Sequence, residues 1–141
     1  MKKFIFLEHT ADIKFQAFGK SLDEVFKNCA LATAKSMFPE KVKKKIVKKI
    51  NVNGNDKESL LYNFLDEIVY LFDADNFLLS DIKSLKIIDF GKKLELFAEI
   101  IGDNSRSYKI KEHIKSVTYS EMFVKYDFKN KKWAVQVVVD V

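Results

Sequence analysis

Apolar residues recur along this chain with two periods, and the switches between them outline its elements. Phe4-Ile5-Phe6-Leu7 is a short apolar run, and Ile13-Lys14-Phe15-Gln16-Ala17 alternates. Both predict strands, joined by the polar corner Glu8-His9-Thr10-Ala11-Asp12. Gly19-Lys20 turns the chain. Ser21-Leu22-Asp23-Glu24 then reads as a capping box, a hydroxyl at the N-cap with a carboxylate three residues on. Leu22, Val25, Phe26, Cys29, Ala32 and Thr33 follow at helical spacing until Pro39 closes the segment near Met37-Phe38. Val42, Ile46, Ile50 and Val52 share one parity, with lysines mostly on the other. That predicts a strand with one buried face. After the turn Asn53-Gly54-Asn55, Asn55 with Glu58 is predicted to cap a second helix. Its stripe of Leu61, Phe64, Leu65, Ile68, Leu71 and Phe72 is the clearest helical signal in the chain.

From Phe77 onward the period returns to two. Leu85 to Phe90 and Leu94 to Ile100 flank Gly91-Lys92-Lys93, the signature of a hairpin with a short loop. Gly102 to Ser107 is the most loop-like segment. Tyr108 to Lys115 fits a strand and a short helix equally. Val117-Thr118-Tyr119 and Met122-Phe123-Val124 read as extended, and Asp127 to Lys132 turns into a core strand, Trp133 to Val139, followed by Asp140-Val141. Helices early and antiparallel strands late predict an α+β fold. The expected architecture is one domain over residues 1–141, a two-layer sandwich of mostly antiparallel sheet with two amphipathic helices on one face.

Composition supports a packed core: 48% of the 141 residues are apolar, with 13 phenylalanines. No apolar run approaches the ~18 residues of a membrane span. Glu8-His9 interrupts the first apolar run too early for a secretory leader. A whole, cytoplasmic protein with no membrane partner is expected. The lone Cys29 excludes an internal disulfide and a thiolate metal cluster, and its helical spacing marks it as a small core residue. The net charge of +5 is uneven, with most of the excess between Lys41 and Lys49. Such a stretch attracts RNA. It also guards an edge strand against sheet-to-sheet association. No aromatic residue interleaves those lysines, as base stacking would want, which favours the solvated edge.

The chain lacks GxGxxG, GxxxxGK[ST], GxSxG and CxxC. Four glycines make a phosphate-cradling loop hard to build, and His9 and His113 are the only imidazoles that could serve a nucleophile. No catalytic residue is assigned. A binding or accessory role is expected rather than a self-sufficient enzyme, although paired carboxylates keep a metal-assisted hydrolase open.

The candidate chemistry lies at the corner. If the last strand pairs beside the first, Asp12, Asp140 and the Val141 carboxylate meet, and three anionic oxygen donors suit a hard divalent cation, Ca2+ or Mg2+. His9, Glu8 and Lys115 are candidate supporting residues. Each also has a structural reading: Asp12 as a turn residue that caps its own backbone, His9 as a buried hydrogen-bonding residue, Glu8 as a solvated strand end. Lys115, Thr118 and Tyr119 read most simply as strand residues, and Asp66 and Glu67 as the wet face of a helix.

Leu7-Glu8-His9-Thr10-Ala11-Asp12-Ile13 resembles the signature opening of the archease family. The resemblance continues through Ala17 to Phe26, Leu60 to Leu71, Ile114 to Tyr119 and the final Val139-Asp140-Val141. Archeases assist the RtcB-type RNA ligase that joins exon ends in tRNA splicing. The resemblance therefore implies an activator that promotes ligase guanylylation and turnover and widens its nucleotide use. It also implies a divalent cation at the tip formed by the first loop and the C-terminus, with Asp12, Asp140 and Val141 as ligands. One departure stands out: the family's late motif usually continues from Thr-Tyr to His, and here Ser120 follows Tyr119. The expected partner is an RtcB-type ligase, with tRNA contact weak or indirect. The alternative is an RNA-binding chaperone or modulator of a tRNA-modifying enzyme such as a methyltransferase.

Overall fold

The computed structural model describes residues 1–8 and 11–141. Strands β1 (Phe4–Leu7) and β2 (Ile13–Gly19) pair antiparallel, with Phe6 opposite Phe15 and Leu7 opposite Lys14. Helix α1 (Leu22–Met37) starts at Ser21, whose hydroxyl accepts the Glu24 N–H at 3.1 Å. The Glu24 carboxylate reaches back to the Lys20 N–H at 3.2 Å. Strand β3 (Ile46–Gly54) follows, then helix α2 (Lys57–Asp75). The cap of α2 is Asp56 rather than Asn55 with Glu58. Asp56 accepts the Ser59 N–H at 2.7 Å, and the Ser59 hydroxyl accepts the Asp56 N–H at 3.2 Å. An Asp with a Ser three residues on thus closes the reciprocal box here, whereas at α1 the Glu24 carboxylate takes the Lys20 N–H rather than that of the N-cap Ser21.

The long strands β4 (Phe77–Asp89) and β5 (Leu94–Asn104) form the predicted hairpin, with register shifts between Leu79 and Asp81 and between Ile82 and Ser84. The short β6 (Ser116–Val117), then β7 (Phe123–Asp127) and β8 (Lys132–Asp140), complete the chain. The α+β class is as predicted, but the strands divide into two antiparallel sheets. One has the order β1-β2-β8-β6, with β7 also on β8; the other has the order β3-β5-β4. The last strand pairs with the second strand, not the first. Val135, Val137 and Val139 stand opposite Ala17, Phe15 and Ile13, so the inward apolar residues of two long strands match, and four-residue β1 is left at the edge.

Helix α1 packs on β2 of the first sheet and β4 of the second, which explains why it is buried on more than one face. Helix α2 packs mainly on β3 and β4. The stacked rings of Phe26 and Phe64, 6.5 Å apart, join the two helices. Cys29 is fully buried beside them, and burial pushes its thiol far above the usual range. Ile46, expected on the buried face of β3, is 37% exposed. It stands opposite Gly102, which offers no side chain to cover it.

The segment predicted as loop, Gly102 to Ser107, instead continues β5 to Asn104 and ends in a 3-10 turn, Ser105–Ser107. Residues 108–115 are neither helix nor strand. They are tied down by the Lys111 N–H on the Met37 carbonyl (2.8 Å) and by the Tyr108 hydroxyl, which accepts the Lys43 N–H (2.9 Å) and donates to Asp103 (2.7 Å). That phenol, followed by the Asn104 N–H, holds the Asp103 carboxyl below the usual carboxylate range. Among the described residues, no helix is long and apolar enough to cross a membrane.

Candidate functional site

The corner between β1 and β2 lies at the end of the first sheet where β8 finishes. Ile13 is opposite Val139, so Asp12 and Asp140 each stand one residue beyond a paired position, on neighbouring strands. Ala11, with φ 66°, takes the left-handed conformation that turns the chain into Asp12. On the far side of β8, Ser116 pairs with Asp140. The Ser116 hydroxyl donates to Asp140 Oδ2 at 3.2 Å, and the Lys115 N–H donates to the Asp140 carbonyl at 2.8 Å. Asp12, Asp140 and Val141 are all half-buried, and Val141 packs against the core.

The expectation that the beginning and end of the chain share one corner is met through β2 rather than β1. Among the described residues, no three His, Cys, Asp or Glu side chains gather as a metal-holding group. A cation here would rest on Asp12, Asp140 and Val141 oxygens, a set of hard donors that fits Ca2+ or Mg2+. His9 and Thr10 lie outside the described residues. Glu8 is exposed. Lys115 touches Asp140 through its main chain, and its side chain is exposed.

Glu8 and Asp12 also line a cleft of about 1000 Å3 between the β1–β2 corner, the end of α1 and residues 111–112. Three carboxylates (Glu8, Asp12, Glu112) and three lysines (Lys14, Lys35, Lys111) border it, with the exposed ring of Phe6 at one side. Lys35, Lys111 and Glu112 were not singled out by sequence reasoning. Two lie in the segment whose element type was ambiguous, and Lys35 is an isolated cation near the end of a helix. A cleft with both signs of charge can hold a cation through the carboxylates and an anion through the ammonium groups.

On the outer side of the same sheet, Gln16 Nε2 donates to Gln136 Oε1 at 2.9 Å, and Gln136 Nε2 donates to the Glu121 carbonyl at 2.8 Å. Lys14 pairs with the Glu121 carboxylate at 3.1 Å. This ladder fastens the 118–121 segment over β8, together with the Thr118 hydroxyl, which donates to the Val138 carbonyl at 2.8 Å. Two glutamines at matching positions on separated strands were its only trace in the sequence. Tyr119 stacks on Tyr62, with centroids 4.4 Å apart, and Ser120 is exposed. His113 is not at the corner; its ring lies 5.8 Å from that of Phe72. Asp66 is on the wet face of α2. Glu67 is partly covered, and burial, then the charges of Asp66 and Asp75, raise its carboxyl above the usual range.

Comparison with known proteins agrees with this fold. The model of the Archease protein family matches residues 4–141. The archease of Pyrococcus abyssi is 35% identical over 144 residues, covering 100% of both chains. That of Methanosarcina barkeri is 34% identical over 143 residues, covering 99% of this chain and 97% of its own. The solution structure of protein 1598 of Methanobacterium thermoautotrophicum superposes with a TM-score of 0.83 at 28% identity, with both chains fully covered. The crystal structure of an archease from Thermotoga maritima, described as a possible chaperone, shares the fold with a TM-score of 0.59 at 19% identity, over 96% of this chain and 94% of that one. A match that runs from β1 to the residue after β8, and so includes both sides of the corner, makes this chain a member of the archease family.

Proposed function

We propose that this protein is an accessory factor of an RtcB-type tRNA-splicing RNA ligase, promoting its guanylylation and turnover and widening its nucleotide use. The observation that supports the reading is the pairing of Ile13 with Val139, since Asp12 and Asp140 each stand one residue beyond that pair at one end of the first sheet. Asp12, Asp140 and Val141 would hold a Ca2+ or Mg2+ ion there. Such an ion, when bound, neutralises phosphate oxygens. The protein's own residues do the rest. Ser116 orients the Asp140 carboxylate, and β2 and β8 fix the corner. Lys35 and Lys111 line the same cleft, where they favour an anionic group. Nucleotidyl transfer depends mainly on positioning and charge neutralisation, so an accessory protein that presents this corner to the ligase can raise its rate without a nucleophile of its own. The description of the Thermotoga relative as a possible chaperone agrees with an accessory role.

The test is ligase guanylylation with and without the protein and its Asp12→Ala form, with cation binding followed in parallel by calorimetry. Stimulation lost together with cation binding is expected. Equal stimulation by both forms refutes the role of the corner.

A further inference from the structure

We propose that the outer face of the β3-β5-β4 sheet binds single-stranded polynucleotide. Ile50, Leu96, Ala98 and Ile100 turn one face of this sheet into the core. The opposite parity faces solvent, and at its centre is Phe97, 41% exposed. Phe97 is in register with Asn51 on β3 and with Lys86 on β4. One position along, Lys49 and Ser84 flank Glu99. A depression of about 520 Å3 lies over these side chains.

The acids of the face are already matched. Glu99 pairs with Lys83 at 3.3 Å, Glu95 with Lys93 at 3.8 Å, and Asp81 with Lys44 at 3.5 Å. Lys49 and Lys86 have no carboxylate partner among the described residues; Lys86 is in register with the ring on β4, and Lys49 lies diagonally across from it on β3. Lys43 and Lys45, both exposed, extend the positive charge along the segment that leads into β3. The basic stretch lacks an aromatic residue of its own. The fold supplies one from the neighbouring strand.

An exposed ring between uncommitted ammonium groups on an open sheet face is the arrangement that stacks an unpaired base and holds its flanking phosphates. Bases in a duplex are already stacked and paired, so the face favours single strands. Stacking and phosphate contacts are common to RNA and DNA, and the arms of the experiment separate the two. The face shares no residue with the corner cleft, so this inference stands independently of the ligase reading.

The experiment is fluorescence anisotropy of short labelled oligo(U), oligo(dT) and a blunt RNA duplex, over a salt series. The proteins are wild type, Phe97→Ala, Phe97→Trp, the pair Lys49→Gln with Lys86→Gln, and Lys129→Gln on the β7–β8 turn as a control. Single strands should bind more tightly than the duplex. Phe97→Ala should weaken binding roughly tenfold with an unchanged salt slope, and Phe97→Trp should retain it. The double lysine variant should lower the slope of log affinity against log salt by about 1.4, two phosphate contacts' worth. Tighter binding of oligo(U) than of oligo(dT) assigns RNA, and the reverse assigns DNA. No binding at low salt overturns the proposal, as does duplex binding at least as tight as single-strand binding, or equal affinity of wild type and Phe97→Ala. Self-association of the wild type that Phe97→Ala abolishes would assign the face to a second copy of the chain and overturn it as well.

Discussion

Replacing Gly102 by alanine tests the packing that holds the lysine-rich segment to the second sheet. A methyl group at this position points into the main chain of β4. It would drive into the Leu78 carbonyl oxygen and stand 2.9 Å from both the Leu78 carbonyl carbon and the Phe77 ring. Unstrained carbon–oxygen contacts begin near about 3.3 Å. Neither strand can yield cheaply. Gly102 is paired with Leu79 on one side and Ile46 on the other, and its carbonyl accepts the Lys45 N–H at 2.8 Å. Overpacking costs about 1–3 kcal/mol, and a rigid backbone neighbour puts this case at the upper end. Alanine recovers about 0.5 kcal/mol by restricting the unfolded chain. The expected net loss is about 2–3 kcal/mol, which lowers the melting temperature of a chain this size by roughly 10 °C. Thermal and urea denaturation measure it, with an unchanged urea m-value expected. Gly91→Ala is the counterpart. With φ 85° and nothing within 4 Å, it meets only left-handed backbone strain, about 1 kcal/mol. A Gly102→Ala protein as stable as the wild type, or a larger loss at Gly91, refutes the reasoning.

Asp56→Ala should cost about 1 kcal/mol in urea denaturation, through loss of the α2 cap. The Ser59 amide, then its hydroxyl, hold the Asp56 carboxyl below its usual range, so the cap stabilises above the unfolded aspartate value of about 4. The gap between wild type and Asp56→Ala should therefore close as pH falls through the lowered folded value, and a gap that persists in acid rules this out. Cys29 should ignore thiol reagents until denaturant is added, because burial keeps it protonated; fast labelling of the native protein contradicts its placement. Tyr108→Phe removes the main donor to Asp103, so the Asp103 carboxyl should move up toward the ordinary range in an NMR titration, and an unmoved value would show that the phenol does not hold it.

Features written as periodicity were legible in the sequence. The stripe of α2, the N-cap at Ser21 and the β4–β5 hairpin each depend on contacts within a few residues, where side-chain spacing decides the outcome. The acidic corner was legible only through resemblance to a family and a guess about which strands meet. The guess chose β1 for β8, because no local pattern records that β2 offers a longer inward apolar set. The division into two sheets was hidden for the same reason. The extension of β5 through Gly102 was hidden because glycine, asparagine and serine look like loop, whereas here a glycine is what lets β4 approach. The α2 cap was misplaced by one residue, since Asn55 and Asp56 are equally good formers and only geometry chooses between them. In the sequence Phe97 is one residue of the alternating run Leu94 to Ile100. Its place between Lys49 and Lys86 exists only once three strands are side by side.

The pairings differ in how far apart in the chain their partners lie: β1–β2, β4–β5 and β7–β8 are hairpins, whereas β2–β8 joins the two ends of the chain. The β4–β5 hairpin closes over the few residues between Asp89 and Leu94, whereas the Gln16–Gln136 contact joins β2 and β8 across 120 positions. The longer loop costs about 3 kcal/mol more in closure entropy, so the β2–β8 ladder is the pairing that gains most from structure already formed between its strands. A chain with its hairpins and helices formed therefore still lacks the aspartate corner until β2 and β8 pair. Any partner that recognises the corner selects molecules that have finished folding.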